Sequence, residues 1–365
     1  MSFQNLTILA PNAALNSILK TGKWLLSELL DIPKNNLTVF SCFHCGGGST
    51  MGYKLAGFNV LGGVEIDKRM MAIYKLNHNP KYSYLMDIRE FNKTEDKDLP
   101  IELFNLDILD GSPPCSSFSD SGNREKDWGK KKQFAEGQAS QTLDDLFFYF
   151  IDTADKLKPK IVIAENVPGL LKGNARGYVK QIFRNFRTAG YEPQLFKLDA
   201  SNMGAPQKRE RVFFIARRLD LNFPRLNLEF KEPVINLMNA FKDIDYTKED
   251  FKKISAFYFN LWKKCKDGAG FETVDPRGKG YSFNKAKLHP LKPCRTLDSK
   301  ESLYHWSEPR HLSKTETCRI QTFPDDYNFL NEKPEYVCGM SVPPFMIQRI
   351  ASEIYNQLFK TPLLT

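Results

Sequence analysis

Between Leu37 and Arg218 short apolar runs alternate with amphipathic stretches, and this restricts the fold more than any other property of the chain. The runs 37–43, 60–65, 104–109, 161–165, 194–198 and 211–216 each give way to turn residues. They are nearly continuous in Val, Ile, Leu and Phe, as expected of strands buried on both faces. Between them, segments 68–76, 143–157 and 177–188 carry apolar residues at helical spacing. Strands alternating with helices predict an α/β fold: a Rossmann-like, doubly wound, mostly parallel sheet. Ligands on such sheets sit beyond the carboxyl ends of the strands, so function is sought there.

The flanks read differently. In residues 1–36, Leu15, Ile18, Leu19, Leu25, Leu26, Leu29 and Leu30 recur at helical spacing and Pro33 closes the segment, predicting one or two helices packed on the main domain, 37–218. The 365-residue chain carries a net charge of +9, and residues 252–310 hold 13 Lys/Arg against six Asp/Glu. In that stretch periodicity fades, and aromatics such as Phe257, Tyr258, Trp262, Tyr281 and Phe283 are threaded among the cations. A solvated surface would explain the charge alone; the interleaved aromatics tilt the reading toward a nucleic-acid face. No apolar run approaches the roughly 18 residues of a membrane span, and no Lys or Arg precedes Lys20. Seven cysteines without framework spacing suit a reducing compartment. The expectation is a soluble, cytoplasmic protein.

The strand ends carry the chemistry. After the first strand comes Phe43-His44-Cys45-Gly46-Gly47-Gly48. Glycines there let a backbone approach a ligand closely and open a helix with free N–H groups, although any tight strand-to-helix turn uses them too. The second strand ends Glu65-Ile66-Asp67, where an acid about 20 residues past such a loop can hold a ribose hydroxyl pair. Asp87-Ile88 offers another acidic end for an adenine amino group. Together these suggest an adenosine-containing ligand; singly, each acid reads equally well as a helix cap. The fourth end is Gly111-Ser112-Pro113-Pro114-Cys115. A cysteine held behind two prolines at a sheet mouth is a candidate nucleophile, since a free thiol is strongly nucleophilic even when only a few per cent is ionised. The next end, Glu165-Asn166-Val167, puts a carboxyl on the same rim. Alternation along Gln207-Lys208-Arg209-Glu210-Arg211 turns Gln207, Arg209 and Arg211 to one face, where guanidinium forks can bind a carbonyl or phosphate.

In this order the segments resemble the cytosine-C5 DNA methyltransferases of bacterial and phage type. The likeness runs from about Leu37 to Tyr355 and also takes in Arg310-His311-Leu312-Ser313, Arg319-Ile320-Gln321-Thr322-Phe323-Pro324 and Gly339-Met340-Ser341-Val342-Pro343-Pro344. It implies S-adenosyl-L-methionine as cofactor and a cytosine flipped out of double-stranded DNA as substrate. Phe43 would stack on adenine, Glu65 hold the ribose, and Asp87 with Ile88 the adenine edge. Gly47, Gly48, Ile66, Pro114, Ser341 and Val342 would complete the cofactor set, with Leu146, 19 residues before Glu165. Cys115 would add to C6, Glu165 would neutralise charge at N3, Arg211 would hold O2, and Arg209 would support the thiolate. Segment 118–141, polar and basic, would be a lid on the DNA, with Ser119, Ser121 and Arg124 as nucleic-acid contacts beside Gln207 and Arg295. Residues 219–325 would form a target-recognition domain, and 326–365 would return to the catalytic domain. A monomer is expected, paired with a restriction endonuclease or acting as a solitary or phage enzyme. No metal is expected.

Two positions depart from the pattern: Cys45 stands where a glycine is usual, and Met340 where an asparagine precedes Ser341-Val342. A transfer-RNA methyltransferase of the same family is the nearest alternative, but its Cys-Phe-Thr signature is missing. A non-catalytic DNA-binding relative is opposed by intact Cys115, Glu165 and Arg211. A nicotinamide dehydrogenase would explain the glycine loop but neither Pro-Pro-Cys nor the basic segment.

Overall fold

The computed structural model describes residues 13–114, 145–172, 175–278 and 280–360. Helix α1 (Ala13–Thr21) and a 3-10 turn (Leu26–Leu30) lead into β1 (Thr38–Cys42), α2 (Gly48–Leu55), β2 (Asn59–Glu65), α3 (Lys68–His78), β3 (Tyr82–Leu85), α4 (Ile88–Lys93) and β4 (Ile108–Gly111). Then come α5 (Leu146–Leu157), β5 (Ile161–Asn166), α6 (Ala175–Thr188), β6 (Tyr191–Asp199) and β7 (Glu210–Arg218). The seven strands form one sheet in the order β3-β2-β1-β4-β5-β7-β6. Strands β1 to β5 are parallel, and β7 runs antiparallel to both β5 and β6. This is the doubly wound, mostly parallel sheet expected.

The apolar runs are explained by what covers each face. Successive residues of a strand point to opposite sides, and here both sides are core. Phe40, Ala164 and Phe214 pack beneath Phe91 of α4, Phe147 and Phe150 of α5, and Ile182 of α6. Their neighbours Val39, Ile163, Phe213 and Ile215 face Tyr53 of α2 and a late helix, residues 344–354.

Three details differ from the sequence reading. Strand β3 escapes it because this edge strand, Tyr-Ser-Tyr-Leu, is only half buried and reads as polar. Residues 104 and 105 belong to a 3-10 turn rather than to β4. Leu25 and Leu30 face solvent, because Leu25 is the extended cap before the turn and Leu30 lies in a turn of about 3.0 residues per turn that takes it off the buried face.

After β7 come α7 (Leu237–Ala240), α8 (Ala256–Lys264), β8 (Ala286–Lys287), β9 (Leu303–Tyr304), α9 (Lys314–Gln321), α10 (Pro334–Met340) and α11 (Pro344–Ile354). Helix α11 is the late helix that lies back on the sheet against α2. A second core joins Ile18, Trp24 and Leu29 to Leu237, Leu297, Phe323 and Phe345. The N-terminal segment is pinned there: Trp24 Nε1 donates to the Thr322 carbonyl (3.2 Å) and Leu26 N to Asp326 Oδ1 (2.8 Å). Leu261, Cys265, Phe271 and Tyr304 make a small separate cluster under α8. Among the described residues no helix is long and apolar enough to cross a membrane.

Candidate active site

The sheet changes winding direction between β1 and β4, which opens a crevice at their carboxyl ends. A cavity of about 210 Å³ occupies it. Of the residues expected to hold a cofactor, Phe43, Glu65, Ile66, Asp87, Ile88, Pro114 and Leu146 line this cavity. Phe43, Glu65, Ile66, Asp87 and Pro114 sit at or within a few residues of strand ends, and Ile88 and Leu146 open α4 and α5, Leu146 having been reached only through the family resemblance. Met70, Met86 and Tyr336 line it too and were missed. Met86 adjoins Asp87 and was within reach of the same argument, whereas Tyr336 comes from α10, with no local signal.

Glu65 is buried, and Oε2 accepts from Cys45 N (2.9 Å) while Oε1 accepts from Ile66 N (2.8 Å) and Asp67 N (2.9 Å). Burial pushes its pKa up against the pull of these donors. A carboxylate offers about four acceptor positions, so one remains for a ligand hydroxyl. Asp87 caps α4 by accepting from Arg89 N (2.8 Å), pairs with the Arg89 guanidinium (Nε to Oδ1 2.9 Å, NH2 to Oδ2 2.6 Å) and lines the cavity. Cys45 has φ 50°, a left-handed conformation that costs a non-glycine residue about 1 kcal/mol or more. Its thiol, also on the cavity wall, is pushed up to about 12 by burial with Glu65 adding to it.

Gly47, Gly48, Ser341 and Val342 stand outside the cavity lining. Gly47 (φ 88°) caps α2, and a Cβ on Gly48 would lie 2.7 Å from Ser341 Cβ and from the Val342 carbonyl. The glycines therefore let segment 341–342 pack against the start of α2. Ser341 Oγ is spent on the Val337 carbonyl (2.8 Å), and Val342 is core. Met340 does line the cavity and is 55% exposed.

Beside the cavity, Glu165 Oε1 pairs with Arg211 Nε at 2.9 Å, because β5 and β7 are neighbours. The next residue, Asn166, donates to the Pro113 carbonyl (3.2 Å). The Pro113–Pro114 step thus touches the cavity on one side and the acid's strand on the other. Cys115, Ser119, Ser121 and Arg124 lie outside the described residues. Arg295 is exposed.

Gln207 and Arg209 are both engaged within the protein. Gln207 is fully buried; its amide donates to Gln321 Oε1 (2.7 Å) and the Ile320 carbonyl (3.3 Å) and accepts from Leu297 N (2.9 Å). No free group is left for DNA. Arg209, also buried, gives NH1 to the Leu297 carbonyl and NH2 to the Gly339 carbonyl, both at 2.8 Å. Both act as struts tying segments 297, 320–321 and 339 to the start of β7.

Asp110, at the end of β4, accepts from Ser41 Oγ (2.7 Å), Ser49 Oγ (2.9 Å) and Tyr53 Oη (3.0 Å). Burial, partly countered by these donors, pushes its pKa up to about 6, with Glu165 adding to the rise. The folded state therefore holds this proton where the unfolded chain has lost it. Asp110 stabilises the fold below about pH 4, and that contribution, on the order of 3 kcal/mol, is lost as pH rises through about 6. Denaturant unfolding of Asp110→Asn and the parent should diverge across that window, the variant gaining relative stability as pH increases. A pH-independent difference would show that Asp110 does not titrate there.

Residues 37–356 match the family described as C-5 cytosine-specific DNA methylase. The type II methyltransferase M.NgoPII of Neisseria gonorrhoeae is 29% identical, over 89% of this chain and 97% of its own. M.FnuDI of Fusobacterium nucleatum, another type II methyltransferase, is 28% identical over 88% and 95% respectively. A solved prophage-encoded protein of E. coli, assigned as a DNA modification methyltransferase, superposes with a TM-score of 0.63 at 22% identity, over 88% of this chain and 99% of that one. This last likeness is one of fold.

Proposed function

The chain belongs to the family of C-5 cytosine-specific DNA methylases, and from that premise we propose how its residues divide the work of methylating cytosine C5 in double-stranded DNA. The cavity suits S-adenosylmethionine. Phe43, Ile66, Met86, Ile88 and Leu146 offer apolar walls for a flat base, and Glu65 retains one acceptor position for a ribose hydroxyl. Asp87 would take the adenine amino group. When bound, this cofactor supplies an electrophilic methyl group.

C5 of cytosine is a poor nucleophile until C6 has been attacked. Cys115 adds to C6 as a thiolate and forms a covalent bond. Glu165 delivers a proton to N3, so that the charge arriving on the ring is neutralised. Arg211 holds O2 and keeps the ring edge in register with Glu165. Once C5 is alkylated its proton leaves to solvent, Cys115 is expelled as a thiolate as the C5–C6 double bond re-forms, and N3 returns its proton to Glu165. The observation that carries this reading is the Glu165–Arg211 pair, 2.9 Å apart, joined through Asn166 and the Pro113–Pro114 step to the cavity rim.

Residues 37–218 then form the catalytic domain, 219–325 a target-recognition domain, and 326–365 the return, with 1–36 an extension. The enzyme acts as a monomer on cytoplasmic or nucleoid DNA, paired with a restriction endonuclease or alone. The test is a duplex carrying 5-fluorocytosine at the target position, incubated with S-adenosylmethionine. Fluorine cannot leave as a proton does, so a denaturant-resistant protein–DNA adduct should accumulate. No adduct on a duplex whose unfluorinated form is methylated would overturn the covalent step.

A further inference from the structure

The geometry points to Arg277 as the residue that reads a guanine of the recognition sequence through the major groove. This rests on the methyltransferase reading above and names a base-reading side chain within it. Arg277 is clamped: its guanidinium carbon lies 4.5 Å from the Phe257 ring centre and 4.8 Å from that of Tyr281. Nε and NH2 are bonded to the two oxygens of Asp275 (3.0 and 2.8 Å), and that carboxylate has no exposed surface. Ser282 Oγ also donates to Asp275 (2.7 Å).

An arginine has five N–H donors in a fixed fork. Asp275 takes the side edge, leaving both NH1 hydrogens without a partner among the described residues and one NH2 hydrogen held only by Ser282 Oγ at 3.3 Å. That end edge matches the O6 and N7 acceptors of guanine, the commonest specific contact in the major groove. Stapling the loop would need only Asp275 with Arg277 N (3.0 Å) and Ser282. Holding the guanidinium between two rings that are themselves 39% and 52% exposed does something more: it fixes the donors at the surface before DNA arrives. Lys263 lies over Phe259 (4.2 Å), and as a point charge it suits a phosphate instead, whereas Lys287, over Trp262 (4.0 Å), is already paired with Asp267 (3.0 Å). The lobe is fixed relative to the chemistry, because Lys208 N donates to the Cys294 carbonyl (2.8 Å) and Arg209 grips Leu297, just before Arg211.

The recognition sequence is first obtained by bisulfite sequencing of DNA methylated by the parent protein. Each guanine in it is then replaced singly by 7-deazaguanine, which lacks the N7 acceptor. The parent should lose roughly 3- to 10-fold in kcat/KM at one guanine, about half in free energy of one bidentate contact, since O6 remains. Arg277→Ala should lose roughly 10- to 100-fold on the unmodified site, the value of the whole contact, and become indifferent to the deaza base there, with its response elsewhere unchanged. Should Arg277→Ala fold poorly by thermal melting, Arg277→Lys should blunt the response at that same position alone. A variant that retains the parent's response at every guanine, whatever its overall activity, overturns the inference while leaving the methyltransferase reading intact. A parent that methylates no cytosine overturns both.

Discussion

Cys115→Ser is expected to lower methyl transfer by roughly 10⁴-fold or more, with affinity for duplex DNA within a few-fold of the parent. The exchange alters one atom and little volume, so lobes and surface charge should be undisturbed. What changes is the nucleophile: a thiol is a few per cent ionised near neutral pH and reactive even then, whereas a serine hydroxyl is essentially never ionised without a base beside it. Among the described residues no other thiol on the cavity wall is fit to substitute. Cys42 and Cys45 are on the cavity wall, but burial pushes both thiols far above neutrality and keeps them protonated. Methyl incorporation and gel-shift binding measured on one preparation separate chemistry from recognition. Transfer by the variant within tenfold of the parent would mean that Cys115 does not form the bond to C6.

How far the sequence could be read depended on the range over which each feature is determined. Glu65 and Pro114 were legible because a parallel strand delivers its last residues to the crevice whatever the rest of the chain does. Leu146 was legible only through the family pattern. Alternation also put Gln207, Arg209 and Arg211 in one row correctly, as the contact between Gln207 and Arg209 shows. It could not reveal that residues 294–297 and Gly339, some 90 to 130 positions later, close over the first two and leave Arg211 to meet Glu165. The places of Ser341 and Val342 are likewise set by packing against Gly48, which no local signal reveals. The antiparallel insertion of β7 between β5 and β6 has no local signature either, since a strand buried on both faces looks alike in both directions. The Cys45 departure was legible in its consequence. A residue standing for glycine after a first strand does take up positive φ here, and it does so on the cavity wall.

The second large effect is expected at Glu165. Glu165→Gln keeps the shape of the side chain and an oxygen for Arg211 Nε, but has no proton to give N3. Loss of a positioned general acid typically costs 10²- to 10⁴-fold, so kcat should fall by about that factor while KM for DNA and for cofactor stays within a few-fold. The split is informative because Arg211 is itself largely buried beside the acid. Were Glu165 mainly a counter-charge for Arg211, its neutralisation would strand a buried cation, and the loss would appear as lowered stability and raised KM. The denaturation midpoint and the two kinetic constants therefore distinguish a proton donor from a structural partner. Adduct formation on 5-fluorocytosine should slow in parallel with kcat, since attack at C6 and charge neutralisation at N3 are one event on the ring. A glutamine variant that forms the adduct at the parent rate would place proton transfer elsewhere and leave Glu165 only the task of orienting Arg211.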